Sequence, residues 1–150
     1  MRLIPPAWTL GVAIAQRALV HATGGPRDYP GRRLVALGFG VGAAALYGAV
    51  GAQFSKARTT IDPLAPHKTT SLVTSGVFAR SRNPIYVADA LLVTAHAVWL
   101  GRPIALLGIP ALAAVLHPQI RAEEKALTTR FGREYESYLA HVPRWVGPRG

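Results

Sequence analysis

Residues 84–119 read PIYVADALLVTAHAVWLGRPIALLGIPALAAVLHPQ. Two apolar runs, Pro84 to Leu100 and Pro103 to about Gln119, meet at Gly101-Arg102-Pro103. Each is near the roughly 17–25 residues that a spanning helix needs. A link this short makes the two helices antiparallel neighbours. The start of the third apolar block and the end of the fourth must then lie side by side. RSRNPIY (80–86) therefore faces HPQIRAEE (117–124) across more than thirty residues of chain.

Two further apolar blocks precede these, Leu3 to about Ala22 and Leu34 to about Phe54. The second is uncharged over residues 34–52, LVALGFGVGAAALYGAVGA, and Gly38, Gly42 and Ala45 have spacings that allow close packing in lipid. The first is interrupted by Gln16 and Arg17. Arg2 with Ala13-Ile14-Ala15 also fits a signal peptide, but the apolar blocks downstream favour a retained helix.

Half of the 150 residues are hydrophobic and 16% are charged, against roughly 25% in soluble domains. Mean hydropathy is +0.23. With no cysteine, disulfides, thiolate metal sites and a cysteine nucleophile are excluded. The net charge of +10 does not imply nucleic acid, because the basic residues lie between apolar blocks. Four spans put twelve Lys and Arg on the side holding both termini and the 55–83 loop. Only Arg27, Arg32, Arg33 and Arg102 lie on the other, with Arg17 inside the first block. That bias places the termini and the long loop in the cytoplasm.

The expected fold is all-α: one polytopic membrane domain over residues 1–150, with four transmembrane helices and a C-terminal amphipathic helix at the interface. Helices over residues 3–54 precede a functional half at residues 62–145. In the tail, Ile120, Leu127 and Phe131 share a helical face, and Gly132 is a stop. A shorter helix to about His141 presents Tyr135, Tyr138 and Leu139 to the interface.

The chemistry gathers where the hairpin closes. Asn83 is a good N-cap and Pro84 a good first helical residue. A helix N-terminus attracts anions, and Arg82 adds charge beside it. Tyr86 supplies a ring and a hydroxyl one turn in. Glu123 and Glu124 fall between Ile120 and Leu127, so at least one carboxylate borders the apolar face, and His117 and Arg121 share the face of Glu124. Asp89 and His96 share a face inside the third block. Asp89 reads as pocket-lining or paired with an arginine, and His96 as an interhelical hydrogen bonder. No three-ligand metal set, Ser-His-Asp order or glycine-rich phosphate loop stands out.

LVTSGVFARSRNPIYVA (72–88) and HPQIRAEEKALTTRFGREYESYLAHVPRW (117–145) together resemble the isoprenylcysteine carboxyl methyltransferase family, its bacterial branch and the phospholipid methyltransferases. The shared pattern is T-x-G-x-[YF], R-[HN]-P-x-Y opening a helix, E-E-x-x-L, then F-G-x-x-Y-x-x-Y. The match runs from about Asp62 to Trp145. It implies methyl transfer from S-adenosylmethionine at the membrane, with the cofactor entering from the cytosol and a lipophilic or isoprenylcysteine-like carboxylate acceptor from the bilayer. Carried over by motif, Thr70, Ser71, Leu72, Val73, Phe78, Asn83, Pro84, Ile85, Tyr86, Glu123 and Glu124 would hold the cofactor. Gln119 and Asp89 would lie on the substrate side, and Arg82 would orient the acceptor or the cofactor carboxylate. The chain departs from the pattern at Phe78 (often tyrosine), Asn83 (histidine in the eukaryotic enzymes) and Gln119 (a substrate-side arginine there). A phospholipid N-methyltransferase, an NADPH-dependent membrane reductase of the steroid-reductase type and a non-catalytic membrane module are the competing expectations.

Overall fold

The computed structural model describes residues 5–57 and 71–146. The helices are α1 (Pro5–Ala22), α2 (Arg32–Ala57), α3 (Pro84–Leu100), α4 (Gly108–Phe131) and α5 (Arg133–His141), with 3-10 turns at Gly76–Ala79 and Pro103–Leu107.

The hairpin forms as the sequence requires. Pro84 occupies the first turn of α3, where no N–H is missed. Gly101 ends the helix at φ 69°, in the left-handed region. A Cβ there would run into the Arg27 carbonyl, so this position needs glycine twice over. Arg102 is extended, and Pro103 opens the 3-10 turn that leads into α4. The fourth apolar block and the first part of the tail prove to be one helix. It continues through Pro118, which is exposed, to Phe131. Gly132, at φ 51°, turns the chain into α5.

α3 is the central helix. Tyr86 and Val93 pack with Val12 of α1 and with Leu112, Leu116 and Ile120 of α4. Farther along, Ala97 and Leu100 pack with Val20 and Ala105. α2 lies on α3 through Ala36, Ala43 and Val50, a seven-residue repeat of small buried side chains. The Gly38, Gly42 and Ala45 stripe is therefore not the packing face. Gly38 and Ala45 are exposed, and only Gly42 approaches α3, at Leu91.

Gln16, which weakens the first block as a sequence, is one of its strongest ties. It is 2% exposed. Its amide donates to the Val93 carbonyl at 3.1 Å and the Ala105 carbonyl at 2.7 Å. Its oxygen lies 2.9 Å from His96 Nδ1, the interhelical role expected for that histidine. In an apolar bundle such bonds replace water that is absent. Thr9, Val12, Gln16 and Val20 together build α1 into the bundle.

The outer face is apolar. Leu10, Ile14, Leu34, Leu37 and Val41 are all more than half exposed. Two segments, Arg32–Ala57 and Pro103–Phe131, are long and apolar enough to cross a membrane, whereas α3 is a shorter apolar helix of 17 residues. Four spans were expected. α3 is apolar but one residue short of that length, and α1 is made less apolar by Thr9, Gln16 and Arg17.

The four cations assigned to one side do gather at one end. The Arg27 N–H donates to the Leu100 carbonyl at 3.1 Å. Arg32 reaches the Trp99 carbonyl, Arg102 reaches the Thr23 carbonyl, and Arg33 lies over the Trp99 ring.

Candidate active site

At the opposite end, the predicted meeting of RSRNPIY with HPQIRAEE takes place. The Tyr86 hydroxyl donates to Glu123 Oε1 at 2.6 Å. Gln119, one turn before Glu123, donates to the same oxygen at 3.1 Å and to the Tyr86 hydroxyl at 3.2 Å. These three side chains close a small polar ring on an apolar base. Trp8, Ile85, Val115 and Trp145 are packed against Tyr86 and its neighbours.

Glu124 faces elsewhere. Arg144 grips it with two bonds, Nε to Oε1 at 3.1 Å and a terminal nitrogen to Oε2 at 2.5 Å. Arg82 adds a third contact to Oε1 at 3.0 Å. This forked geometry is the strong form of the ion pair. The Arg82 guanidinium, expected to orient the acceptor or the cofactor carboxylate, is engaged here with Glu124, and Glu124 with two arginines. His117 and Arg121, expected on the face of Glu124, are exposed while Glu124 turns toward the two arginines.

Asn83 spends its side chain on the tail. It occupies the N-cap position of α3 without a side-chain capping bond. Its amide donates instead to the Arg144 carbonyl at 3.1 Å, and Ser81 Oγ donates to the same oxygen at 3.3 Å. The Arg82 N–H donates to the Pro143 carbonyl at 3.0 Å. Segments 81–83 and 143–144 are thus bound together by backbone acceptors and a shared carboxylate. Arg144 was not among the expected site residues. The signal available for it was a lone arginine between Pro143 and Trp145, directly after a helix.

The remaining expected residues divide. Ser71 donates to the Ala57 carbonyl at 3.2 Å and fixes the chain to the end of α2. Leu72 joins Tyr135, Tyr138, Val142, Leu127 and Phe131 in a separate cluster. Phe78 meets Phe54 edge to face at 5.4 Å, and its carbonyl accepts from the Tyr138 hydroxyl at 2.7 Å. The aromatic face of α5 is therefore spent on protein, with Tyr135 and Tyr138 buried, and does not lie open to lipid as expected. Burial pushes the Tyr135 hydroxyl up to about 12; Glu124 adds to the shift and Arg82 opposes it. Pro84 is buried, Val73 is half-buried, and Thr70 lies outside the described residues. Among the described residues Asp89 has no arginine partner. It accepts from Thr9 Oγ1 at 2.8 Å and from the Tyr47 hydroxyl at 2.5 Å, and lines a different cavity.

A family model described as phospholipid methyltransferase matches residues 34–134, from the first turn of α2 into α5. The chain belongs to the phospholipid methyltransferase family. Membership implies a membrane methyltransferase of the isoprenylcysteine or phospholipid type. An uncharacterized protein of Haemophilus influenzae is 36% identical over 63 residues, 41% of this chain and the whole of that protein. No solved structure matches. The phospholipid methyltransferase match contains Tyr86, Gln119, Glu123 and Glu124, but not Arg144.

Proposed function

We propose that this protein is an integral-membrane methyltransferase that uses S-adenosylmethionine to methylate a lipophilic acceptor. The observation that carries the reading is the Tyr86–Gln119–Glu123 ring, formed where α3 and α4 close. The residues fit such a cofactor chemically. A half-buried carboxylate attracts the ammonium or sulfonium of the cofactor, and the partly exposed indoles of Trp8 and Trp145 suit a cation and an adenine. When bound, the cofactor supplies a methyl group already activated by positive sulfur.

The chain then has to bind, align and exclude water. Glu123 holds the cationic part, and Gln119 fixes the carboxylate rotamer by donating to Oε1. Tyr86, its ring packed in the core, donates a hydrogen bond to Glu123 and helps to fix the carboxylate. Thr70, Ser71, Leu72 and Val73 are assigned to the cofactor by motif alone. Arg82, Glu124 and Arg144 hold the tail across the mouth and keep the site half-buried. Because Arg82 is committed to Glu124, the extra phosphate of NADPH lacks the Arg80–Arg82 pair that a reductase would need. The end holding Tyr86 is assigned to the cytoplasm on the distribution of Lys and Arg.

The test is ligand binding followed by label transfer. Purified protein in detergent should be stabilised by S-adenosylmethionine and S-adenosylhomocysteine, and not by NADPH. Membranes incubated with methyl-labelled cofactor should yield a labelled, organic-extractable product. Absence of any thermal shift with both cofactor forms would overturn the reading.

A further inference from the structure

α1 and α2 both lie on α3 but diverge from one another, and the gap between them is a crevice of about 310 Å³. Its walls are apolar at the rim, where Leu10 is 62% and Leu92 38% exposed. Its floor carries Asp89, one turn along α3 from Tyr86. Asp89 is 1% exposed. Thr9 and Tyr47 both donate to Oδ1, while Oδ2 is buried with no hydrogen-bond partner. His96, at the far end, already has its Nδ1 against Gln16. Among the described residues no Lys or Arg lines the crevice, although the charge of Arg17 reaches His96 at its far end.

A buried acceptor without a donor costs free energy, and more so when it belongs to a carboxylate. Two hydroxyls on one oxygen and none on the other leave a vacancy for one more donor. We infer that the crevice is a head-group site for an aliphatic amphiphile whose polar end donates hydrogen bonds, an ammonium or a hydroxyl. Oδ2 takes the donor, and the chain runs out past Leu10 and Leu92 into the lipid. A carboxylate head at Oδ2 would set a second anion directly against Asp89, which is unfavourable. The inference rests on the membrane placement in the preceding reading, and it needs neither cofactor nor turnover.

The test is photolabelling of the full chain in lipid nanodiscs, without cofactor. Three probes of equal length carry a diazirine on the tail and an ammonium, a hydroxyl or a carboxylate at the head. The ammonium or hydroxyl probe should label peptides of α1 and α3 around Leu10 and Leu92, and excess decylammonium or decanol should compete. The carboxylate probe should label the crevice on the order of tenfold less. Asp89→Asn should lose the preference between heads. Ala13→Phe fills the crevice without touching the carboxylate, and should abolish labelling even if the Asn variant does not fold. Equal crevice labelling by all three probes, or unchanged labelling in Ala13→Phe, would overturn the inference. A shared failure of cofactor binding would not, since cofactor binding belongs to the Tyr86 site.

Discussion

At the Gly101 end of the bundle arginines reach for backbone carbonyls; at the Tyr86 end they reach for a carboxylate. The first arrangement follows from helix polarity. α1 and α3 both end there, and the last carbonyls of a helix have no partners of their own. Arg32 and Arg102 supply donors at those termini, where positive charge is favoured. Arg32 is itself covered, at 11% exposed, but its ion-pair partner Asp28 stands 70% exposed, so that pair adds little. It does hold the Asp28 carboxyl below its ordinary range, by hydrogen bond first and charge second. At the Tyr86 end both members of the ion pair are covered, Arg82 at 14% and Glu124 at 16% exposed. There they bind chain segments to each other, and exposure no longer weakens them. One end is fastened, and the other is assembled around a specific geometry.

The contrast can be broken most forcefully at Glu124. Glu124→Ala leaves Arg82 and Arg144 facing each other without an anion, and should cost about 3 kcal/mol. Denaturation in detergent reads this directly; a wild-type midpoint would mean that the clamp is ornamental. Gly101→Val tests the fastened end. A branched side chain at φ 69° against the Arg27 carbonyl should cost about 2 kcal/mol. The melting temperature should fall while affinity for S-adenosylhomocysteine stays at the wild-type value. Glu123→Gln should do the reverse. It keeps the shape of the polar ring, so stability should change by less than about 1 kcal/mol. Affinity should drop on the order of tenfold to a hundredfold, as expected when a charged acceptor is removed. Calorimetric titration showing equal affinity would remove Glu123 from the cofactor site. The smallest effect belongs to Arg33→Ala. A guanidinium 5.8 Å from the Trp99 ring centre, near the surface, should contribute about 0.5 kcal/mol.

The hairpin was legible in the sequence because a three-residue link leaves the chain almost no freedom. That constraint alone predicts that Tyr86 and Glu123 come together. Gly132 was legible for a similar reason, since a positive φ narrows the choice of residue. The division of labour between Glu123 and Glu124 was not. Adjacent helical residues point about 100° apart, and which one meets Arg144 depends on a tail whose path is set by α5. The packing face of α2 was misread toward Gly38 and Ala45 because small residues occur on every side of that helix. Only contact with α3 selects Ala36, Ala43 and Val50. Gln16 and Asp89 look like defects in apolar blocks until their partners, some eighty residues away in one case and over forty in the other, are known. Polar groups in such helices advertise that partners exist without naming them.

Trp145 stands directly after Arg144, and Trp8 packs on the same core, while Trp99 sits at the far end among the arginines. The protein thereby carries an optical reporter at each end. With Trp99 replaced by phenylalanine, the remaining emission would come from indoles beside the proposed cofactor ring. Loosening of the tail, or arrival of a ligand there, could then be followed in the unlabelled protein by fluorescence alone.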